Sequence, residues 1–329
     1  MNDAKTIFVT GASGHLGRRL IPKLISRGYR IKGQCRNQRK AEKYLPPEVT
    51  IVVGDIRDTS WMPEALAGSD YLIHSAAMVS LRPVDRREMK SVNVDGTNNL
   101  IDAARKAAVK RLLHISSVAT VGGSVEGAPL DETATFNLAG YGLPYFETKK
   151  LAEEIVLAAS ESGMETVVVN PSIILYPTER KITRNDLKKI PRFIPCYFDF
   201  GLNLVHADDV IDGIISALER GRSGERYILA GDNIDAPRLF DVARKSFGIK
   251  KPWLKIPTSC LYPLGLAGEM LYRLRHIGSP YGKGPRVNRG IARLANLRFF
   301  YDISKARNEL GYNPRPIEEF LKDILSETA

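Results

Sequence analysis

The stretch Thr10-Gly11-Ala12-Ser13-Gly14-His15-Leu16-Gly17 decides the predicted fold. It joins an apolar run at 6–10 to a segment at 15–27 whose apolar residues recur at helical spacing. A glycine-rich turn between a strand and a helix is the usual place for a pyrophosphate, because the first helical amides point at the anion. Gly11 permits the bend, Gly14 a close approach to phosphate, and Gly17 close helix packing. The spacing is GxxGxxG, and a chance glycine-rich turn is the alternative.

Strand and helix patterns alternate through the first 230 residues or so. Apolar runs predict strands at 6–10, 30–35, 49–53, 71–74, 111–116, 165–170 and 227–230. Helical patterns lie at 15–27, 40–44, 59–67, 85–108, 144–160 and 208–220. This alternation predicts an α/β fold, a doubly wound parallel sheet of the Rossmann type with a smaller C-terminal substrate lobe. We assign 1–171 plus 203–232 to an NAD(P)-binding domain, and 172–202 plus 233–329 to the lobe.

The composition is that of an ordinary globular protein, with 26% charged and 43% hydrophobic residues. Three widely spaced cysteines, without CxxC or Cys/His spacing, argue against a disulfide framework or a structural zinc and favour a reducing compartment. The N-terminus enters a strand within six residues, which leaves no room for a secretion signal. No apolar run approaches the roughly 20 residues needed to span a bilayer. We expect a cytoplasmic protein without a bound metal.

The net charge of +11 is concentrated in one part of the chain. Residues 244–298 contain twelve lysines and arginines but one acid, Glu269. This region is either a solvated basic face or a surface for an anionic partner, such as a phosphorylated substrate or a membrane. The apolar segment 260–275, with its basic end, could lie on a membrane, line an apolar pocket or pack in the core. Nucleic acid is not expected, because no aromatic-interleaved basic motif is present.

The residues after the second strand predict the choice of cofactor. An acid there would bond the ribose 2′-hydroxyl of NAD, whereas an arginine would neutralise the 2′-phosphate of NADP. The sequence Cys35-Arg36-Asn37-Gln38-Arg39-Lys40 contains no acid. We therefore predict NADP rather than NAD, with Arg36 as the phosphate ligand, helped by Arg39 or Lys40. Asp55, after the third strand, either bonds the adenine amine or forms an ordinary strand-end turn.

A tyrosine and a lysine stand four residues apart in the predicted helix 144–160. This spacing places Tyr145 and Lys149 on one helix face. A free tyrosine has a pKa of about 10, and a fixed cation nearby would lower that pKa by favouring the phenolate. Ser116 and Ser117 end the fifth strand, at the same sheet edge as the glycine turn, where a hydroxyl can orient a reacting oxygen. The pattern indicates a nicotinamide enzyme that moves a proton through a tyrosine.

Taken together, these motifs resemble the extended short-chain dehydrogenase/reductase family. The matching stretches are TGASGHLG (10–17), GDIRD (54–58), HSAA (74–77), VNVDGTNNLIDAA (92–104), HISSVAT (114–120), YFETK (145–149), NPS (170–172) and VHADDVIDGIISALE (205–219). The resemblance runs in order over most of 5–231, with a weaker match at 301–319. Within the family the chain is most similar to the 3β-hydroxysteroid dehydrogenase and dihydroflavonol reductase branch, which includes hopanoid-associated epimerase-like proteins.

The resemblance implies roles for single residues. Tyr145 exchanges the proton with the substrate, and Ser117 binds the reacting oxygen. Lys149 adjusts the pKa of Tyr145 and also holds the nicotinamide ribose. Ser116 is the alternative if the register is off by one. The residues expected to bind the cofactor are Gly11, Ser13, Gly14, His15, Leu16, Gly17, Arg36, Asp55, Ile56, Ala76, Ala77, Ser116, Tyr145, Lys149 and Pro171. Asn93 is expected to support the central helix, and the helices at 85–108 and 144–160 are expected to build a homodimer.

These observations predict an NADP-dependent oxidoreductase that interconverts a secondary alcohol and a ketone on a bulky, fairly apolar small-molecule substrate. One alternative is an NAD-dependent nucleotide-sugar epimerase or dehydratase. Tyr176-Pro177-Thr178 stands where sugar-nucleotide members often have a glycine-rich YGPG-like turn, which argues against it. A second alternative is a non-enzymatic nucleotide-binding protein on the same fold, and the Tyr145/Lys149 pair argues against that.

Overall fold

The computed structural model describes residues 4–176, 196–247, 251–275 and 289–319. The strands of the central sheet are β1 (Thr6–Thr10), β2 (Arg30–Cys35), β3 (Thr50–Val53), β4 (Tyr71–His74), β5 (Arg111–Ile115), β6 (Glu165–Pro171) and β10 (Glu225–Leu229). All seven are parallel, in the order β3-β2-β1-β4-β5-β6-β10. The predicted strands are confirmed, and the seventh lies at the sheet edge as expected.

Helices cover both faces of this sheet. The helices of the described part of the chain are α1 (His15–Ser26), α2 (Gln38–Tyr44), α3 (Met62–Leu66), α4 (Arg86–Met89), α5 (Gly96–Lys106), α6 (Pro144–Glu161), α7 (Ala207–Arg220), α8 (Ala236–Phe247), α9 (Leu261–Arg275), α10 (Arg289–Leu294) and α11 (Ser304–Leu310). Ile7 and Val9 of β1 pack in the layer formed with α1, α7 and α11, while Phe8 packs in the layer of α3, α5 and α6. Successive strand residues thus meet opposite helix layers, which explains the continuous apolar runs.

The long helix predicted at 85–108 is not a regular α-helix. A π-helical segment, Lys90–Asp95, separates α4 from α5. This segment contains Asn93, whose side chain accepts from the Met78 amide at 2.7 Å and donates to the Met78 carbonyl at 3.0 Å. The Asn93 amide also donates to Thr148 Oγ1 on α6 at 3.1 Å. These contacts connect the π-helical segment to the loop after β4 and to α6, and π turns are frequent near functional sites. The role predicted for Asn93, support of the central helix, stays a prediction.

A second, smaller sheet lies outside the seven-stranded one. It contains β7 (Ile173–Leu175), β9 (Gly201–His206) and β11 (Asp232–Asp235), with β9 in the middle. A separate parallel pair joins β8 (Cys196–Phe198) to β12 (Leu254–Ile256). The predicted domain boundaries at 203 and 232 fall within β9 and at the start of β11. The division into a nucleotide-binding domain and a lobe therefore stays a prediction.

Candidate active site

The order of the strands reverses between β1 and β4, so a crevice opens at their carboxyl ends. Thr10 and His74 are the last residues of these two strands, and Thr10 Oγ1 lies 2.9 Å from His74 Nδ1. Thr10 Oγ1 also accepts from the amides of Ser75 and Ala76, each at 3.1 Å. These bonds fix the segment after β4 against the end of β1, where the glycine-rich turn begins.

The glycine-rich turn has no room for side chains at two of its positions. Gly11 has φ +67°, and a Cβ on it would lie 3.0 Å from the Ala76 backbone. A Cβ on Gly17 would lie 2.5 Å from the Ala12 carbonyl oxygen. Gly14 is the N-cap of α1, which has neither a side-chain cap nor an acid in its first turn. The first amides of α1 therefore form a donor set suited to an anionic pyrophosphate.

The other expected cofactor residues lie around this crevice or behind it. Ser13 is half-buried, His15 and Ala77 are exposed, and Leu16 is buried. Pro171 is buried at the end of β6. Ile56 is buried as well, and its side chain fills the space against Gly96 of α5. Ile56 is thus a core side chain.

Arg36 and Asp55 lie at the carboxyl ends of the neighbouring strands β2 and β3. Arg36 is exposed, and its charge helps to lower the pKa of the Asp55 carboxyl. The larger cause of this lowering is Arg57, whose guanidinium donates to both carboxylate oxygens of Asp55 at 2.9 and 2.7 Å. Asp55 also accepts from the Arg57 amide, which forms the strand-end turn considered as one alternative for this residue.

Tyr145, Lys149 and Ser117 come together at the carboxyl end of β5. Tyr145 is the second residue of α6, and Lys149 follows one turn later. The Ser117 side chain lies close enough to the Tyr145 phenol to act on its pKa. Burial raises the pKa of Tyr145, and the nearby Ser117 hydroxyl lowers it by less. This differs from the expected lowering by Lys149, because desolvation of the phenolate dominates.

Lys149 is almost completely buried, with 2% of its surface exposed. Its ammonium donates to the Ile115 carbonyl at 2.9 Å and lies 3.3 Å from His114 Nε2. Burial lowers the pKa of Lys149 from 10.5 to about 8, although the nearby Glu153 carboxylate acts in the opposite direction. His74 and His114 are buried next to each other, with ring centroids 5.0 Å apart. Burial lowers the pKa of both rings, so both are neutral.

Ser116 and Ser117 are adjacent, but their hydroxyls have different surroundings. Ser116 Oγ donates to Glu153 Oε2 at 2.6 Å, inside the protein. Glu153 is fully buried and accepts two further bonds, from Thr120 at 2.6 Å and from Asn170 at 2.7 Å. Its second oxygen pairs with the guanidinium of Arg226 on β10 at 3.0 Å. Glu153 thus connects α6, the segment after β5, and the strands β6 and β10.

The sequence reasoning missed this buried cluster. One signal was available, because Glu153 follows Lys149 by the same four-residue step that separates Lys149 from Tyr145. No local pattern points to Arg226, which is 73 residues away in the chain. Its pairing with Glu153 depends on the position of β10 next to β6.

Comparison with known proteins shows a family match over the part of the chain that contains this site. The model of the NAD dependent epimerase/dehydratase family matches residues 7–230. Sterol demethylase protein B of Methylococcus capsulatus is 33% identical, over 98% of this chain and 97% of that protein. The 4-hydroxy-2-methyl-3-oxo-4-farnesyl-3,4-dihydroquinoline-1-oxide ketoreductase of Stigmatella aurantiaca is 32% identical, over 97% of this chain and 95% of that protein. The crystal structure of gox2253 superposes with a TM-score of 0.80 at 34% identity, covering 99% and 98% of the two chains.

Proposed function

The chain belongs to the NAD dependent epimerase/dehydratase family and is an NAD(P)-dependent oxidoreductase of the extended short-chain dehydrogenase/reductase type, and we propose that it interconverts a secondary alcohol and a ketone on a bulky, fairly apolar substrate. Two relatives support the substrate class. One is named for a sterol and the other for reduction of a farnesyl-substituted dihydroquinoline oxide. A small-molecule substrate would enter the crevice beside Tyr145.

The placement of the Ser117 hydroxyl beside the Tyr145 phenol, at the same sheet edge as the glycine-rich turn, carries this proposal. The bound cofactor supplies or accepts the hydride. Because burial raises the pKa of Tyr145, its phenol stays protonated near neutrality and can donate a proton to a ketone oxygen. Ser117 holds that oxygen in place. Ser116 is less suited to this role, since its hydroxyl donates to Glu153.

Lys149 has a different role in the proposed site. With a pKa of about 8, its ammonium is mostly charged at neutral pH. Held by the Ile115 carbonyl at the end of β5, it can donate to the nicotinamide ribose hydroxyls. The Lys149 ammonium also stabilises the negative charge that develops on the reacting oxygen during proton transfer.

We further propose NADP as the preferred cofactor. Arg36 is exposed at the end of β2, as a ligand of a 2′-phosphate must be, whereas the Asp55 carboxylate is engaged by Arg57. The turn residues Gly11 to Gly17 with Ala76, Ala77 and Pro171 would complete the cofactor site. The free cysteines support a cytoplasmic location. Within the described ranges no helix has the length and apolar character needed to cross a membrane. A homodimer built by the helices at 85–108 and 144–160 would cover the exposed Leu151.

Replacement of the tyrosine tests the proposed chemistry. We expect Tyr145→Phe to bind NADPH with unchanged affinity, measured by cofactor fluorescence, and to lose at least about 100-fold in kcat with a panel of bulky ketones. Tyr29→Phe removes a phenol at the opposite end of the sheet and is the matched control. If Tyr145→Phe keeps more than a tenth of the turnover, the assigned role is wrong. Conversion of a nucleotide sugar without net NADPH consumption would instead favour the epimerase alternative.

A further inference from the structure

Helix α9 turns apolar side chains toward solvent. Along its first ten residues the exposed positions are Tyr262, Pro263, Leu264, Leu266, Ala267 and Met270. With 3.6 residues per turn, these six positions occupy one continuous arc of about 200° around the helix. None is charged, and Met270 has 63% of its surface exposed. An exposed apolar stripe of this length indicates a surface that is covered in the working protein.

The remaining arc of α9 carries its one acid, Glu269, which borders the exposed arc next to Tyr262. Gly265 is buried there, and Glu269 is half-buried. The Glu269 carboxylate accepts from the amide and from Nε of Arg289 at the start of α10, each at 2.9 Å. A helix on a protein surface ordinarily has its apolar side inward and its charges outward. Over residues 261–270 of α9, the exposed arc is apolar, and the one acid lies at the edge of the buried arc.

The segment that precedes α9 extends this apolar character. Trp253 has 72% of its surface exposed, and Leu254 in β12 has 45%. Lysines stand on both sides of this pair, at 251 and 255. A tryptophan beside cationic side chains is typical of the boundary between lipid headgroups and acyl chains.

The net charge of the stretch of sequence that contains α9 distinguishes between occupants of this surface. Residues 244–298 contain twelve lysines and arginines against Glu269. Lys251 and Lys255 are paired with aspartates at 241 and 199, but the region stays strongly positive when these two acids are counted. A second copy of the chain would bring the same positive charge to the interface. Anionic lipid headgroups would neutralise it.

We propose that the exposed side of α9, together with Trp253, docks on the surface of an anionic lipid bilayer. The helix would lie in the interface, with its apolar side chains among the headgroups and upper acyl chains. This surface is close to the site, because α9 packs on α10 and Ile291 and Leu294 of α10 lie in the apolar cluster that also contacts Tyr145. If the proposed function holds, an apolar substrate would reach the crevice from the membrane side.

Vesicle sedimentation of the full-length protein tests this proposal. We expect binding to vesicles that contain phosphatidylglycerol, weaker binding to phosphatidylcholine alone, and a steep loss of binding with added salt. The double variant Leu264→Asp, Leu266→Asp should lose at least tenfold in partition. Val53→Asp changes an apolar side chain of similar exposure to Leu266, at the end of the edge strand β3, and should bind vesicles as the wild type does.

Two controls make the result decisive. The melting temperature and the NADPH affinity of the double variant should match those of the wild type, which shows that it is folded; if they do not, Met270→Asp alone is measured in its place. Failure of the wild type to bind anionic vesicles, or equal binding by the variants, overturns the proposal. It is also overturned if ultracentrifugation shows a wild-type dimer that the double variant converts to a monomer, since the occupant would then be a second copy. None of these measurements depends on turnover, so they are independent of the proposed reaction.

Discussion

Replacement of Lys149 by methionine should make the protein more stable while abolishing its reaction. The lysine is almost completely buried, and burial disfavours its charged form. Methionine has a similar length and no charge, so it removes this penalty while still filling the space. A stabilising substitution at the centre of a site is expected where a group is kept for its chemistry at a cost in stability.

The size of the effect follows from the pKa of the buried group. A decrease from 10.5 to about 8, at about 1.4 kcal/mol per pKa unit, is a penalty of about 3 kcal/mol when the lysine is charged. The variant loses the hydrogen bond to the Ile115 carbonyl, which costs about 1 kcal/mol. The net gain expected for Lys149→Met at pH 7 is therefore about 2 kcal/mol.

The pH dependence of this gain identifies its cause. Between pH 8 and 10.5 the unfolded chain still holds the Lys149 proton that the folded protein has released, so the stability of the wild type rises with pH in this window. The variant has no such contribution. Its advantage should be complete at pH 7 and should decrease as the pH approaches 10.5, where the lost hydrogen bond leaves it slightly less stable than the wild type.

Urea unfolding of the cofactor-free protein at pH 7 and pH 10, followed by tryptophan fluorescence, measures both points. The control is Lys150→Met, because Lys150 is only partly buried and pairs with Glu154 at 3.5 Å. Its effect should be at most about 1 kcal/mol at either pH. A Lys149→Met protein that gains nothing at pH 7, or gains equally at both pH values, would refute the conclusion that Lys149 is a buried, destabilised charge.

Two further substitutions test the groups around the crevice. Glu153→Gln leaves Arg226 buried without its counter-ion and should destabilise the protein by about 3 kcal/mol in urea unfolding. Since Glu153 raises the pKa of Lys149, the alkaline limb of the pH–rate profile of this variant should also move to lower pH. The double variant Glu153→Gln, Arg226→Met should regain stability but keep the shifted alkaline limb. An alkaline limb that does not move in Glu153→Gln would contradict the effect of Glu153 on Lys149. Arg36→Ala should raise KM for NADPH by about 10- to 100-fold and leave KM for NADH unchanged, whereas equal changes for both cofactors would exclude a 2′-phosphate contact.

The central sheet could be predicted because its strands are buried on both faces. Ile7, Phe8 and Val9 are all inaccessible to solvent, so β1 reads as an unbroken apolar run. The short strands of the outer part of the chain have no such signature. In β12, Lys255 stands between two apolar residues, and its pairing partner β8 is more than fifty residues away. Pairing over that distance is determined by tertiary packing, which a local pattern does not contain.

The site was predictable where its geometry is local. The four-residue step from Tyr145 to Lys149 fixes their relative positions within one helix. The choice between Ser116 and Ser117 is not local, because adjacent residues in extended backbone point to opposite sides and either one could face the crevice. The contact that distinguishes the two serines is with Glu153 on α6, which accepts a hydrogen bond from the Ser116 hydroxyl.

Spacing also predicts which charges are near one another but not how much water surrounds them. The expected lowering of the Tyr145 pKa counted the Lys149 charge and omitted burial. In the structure, burial favours the neutral form of both groups, so the phenol holds its proton more tightly and the ammonium releases its proton more easily. The site therefore needs a buried anion to keep Lys149 charged. Glu153, one helical turn beyond Lys149, has that effect. The ion pair with Arg226 and three hydrogen bonds to Glu153 offset the free-energy cost of burying its carboxylate.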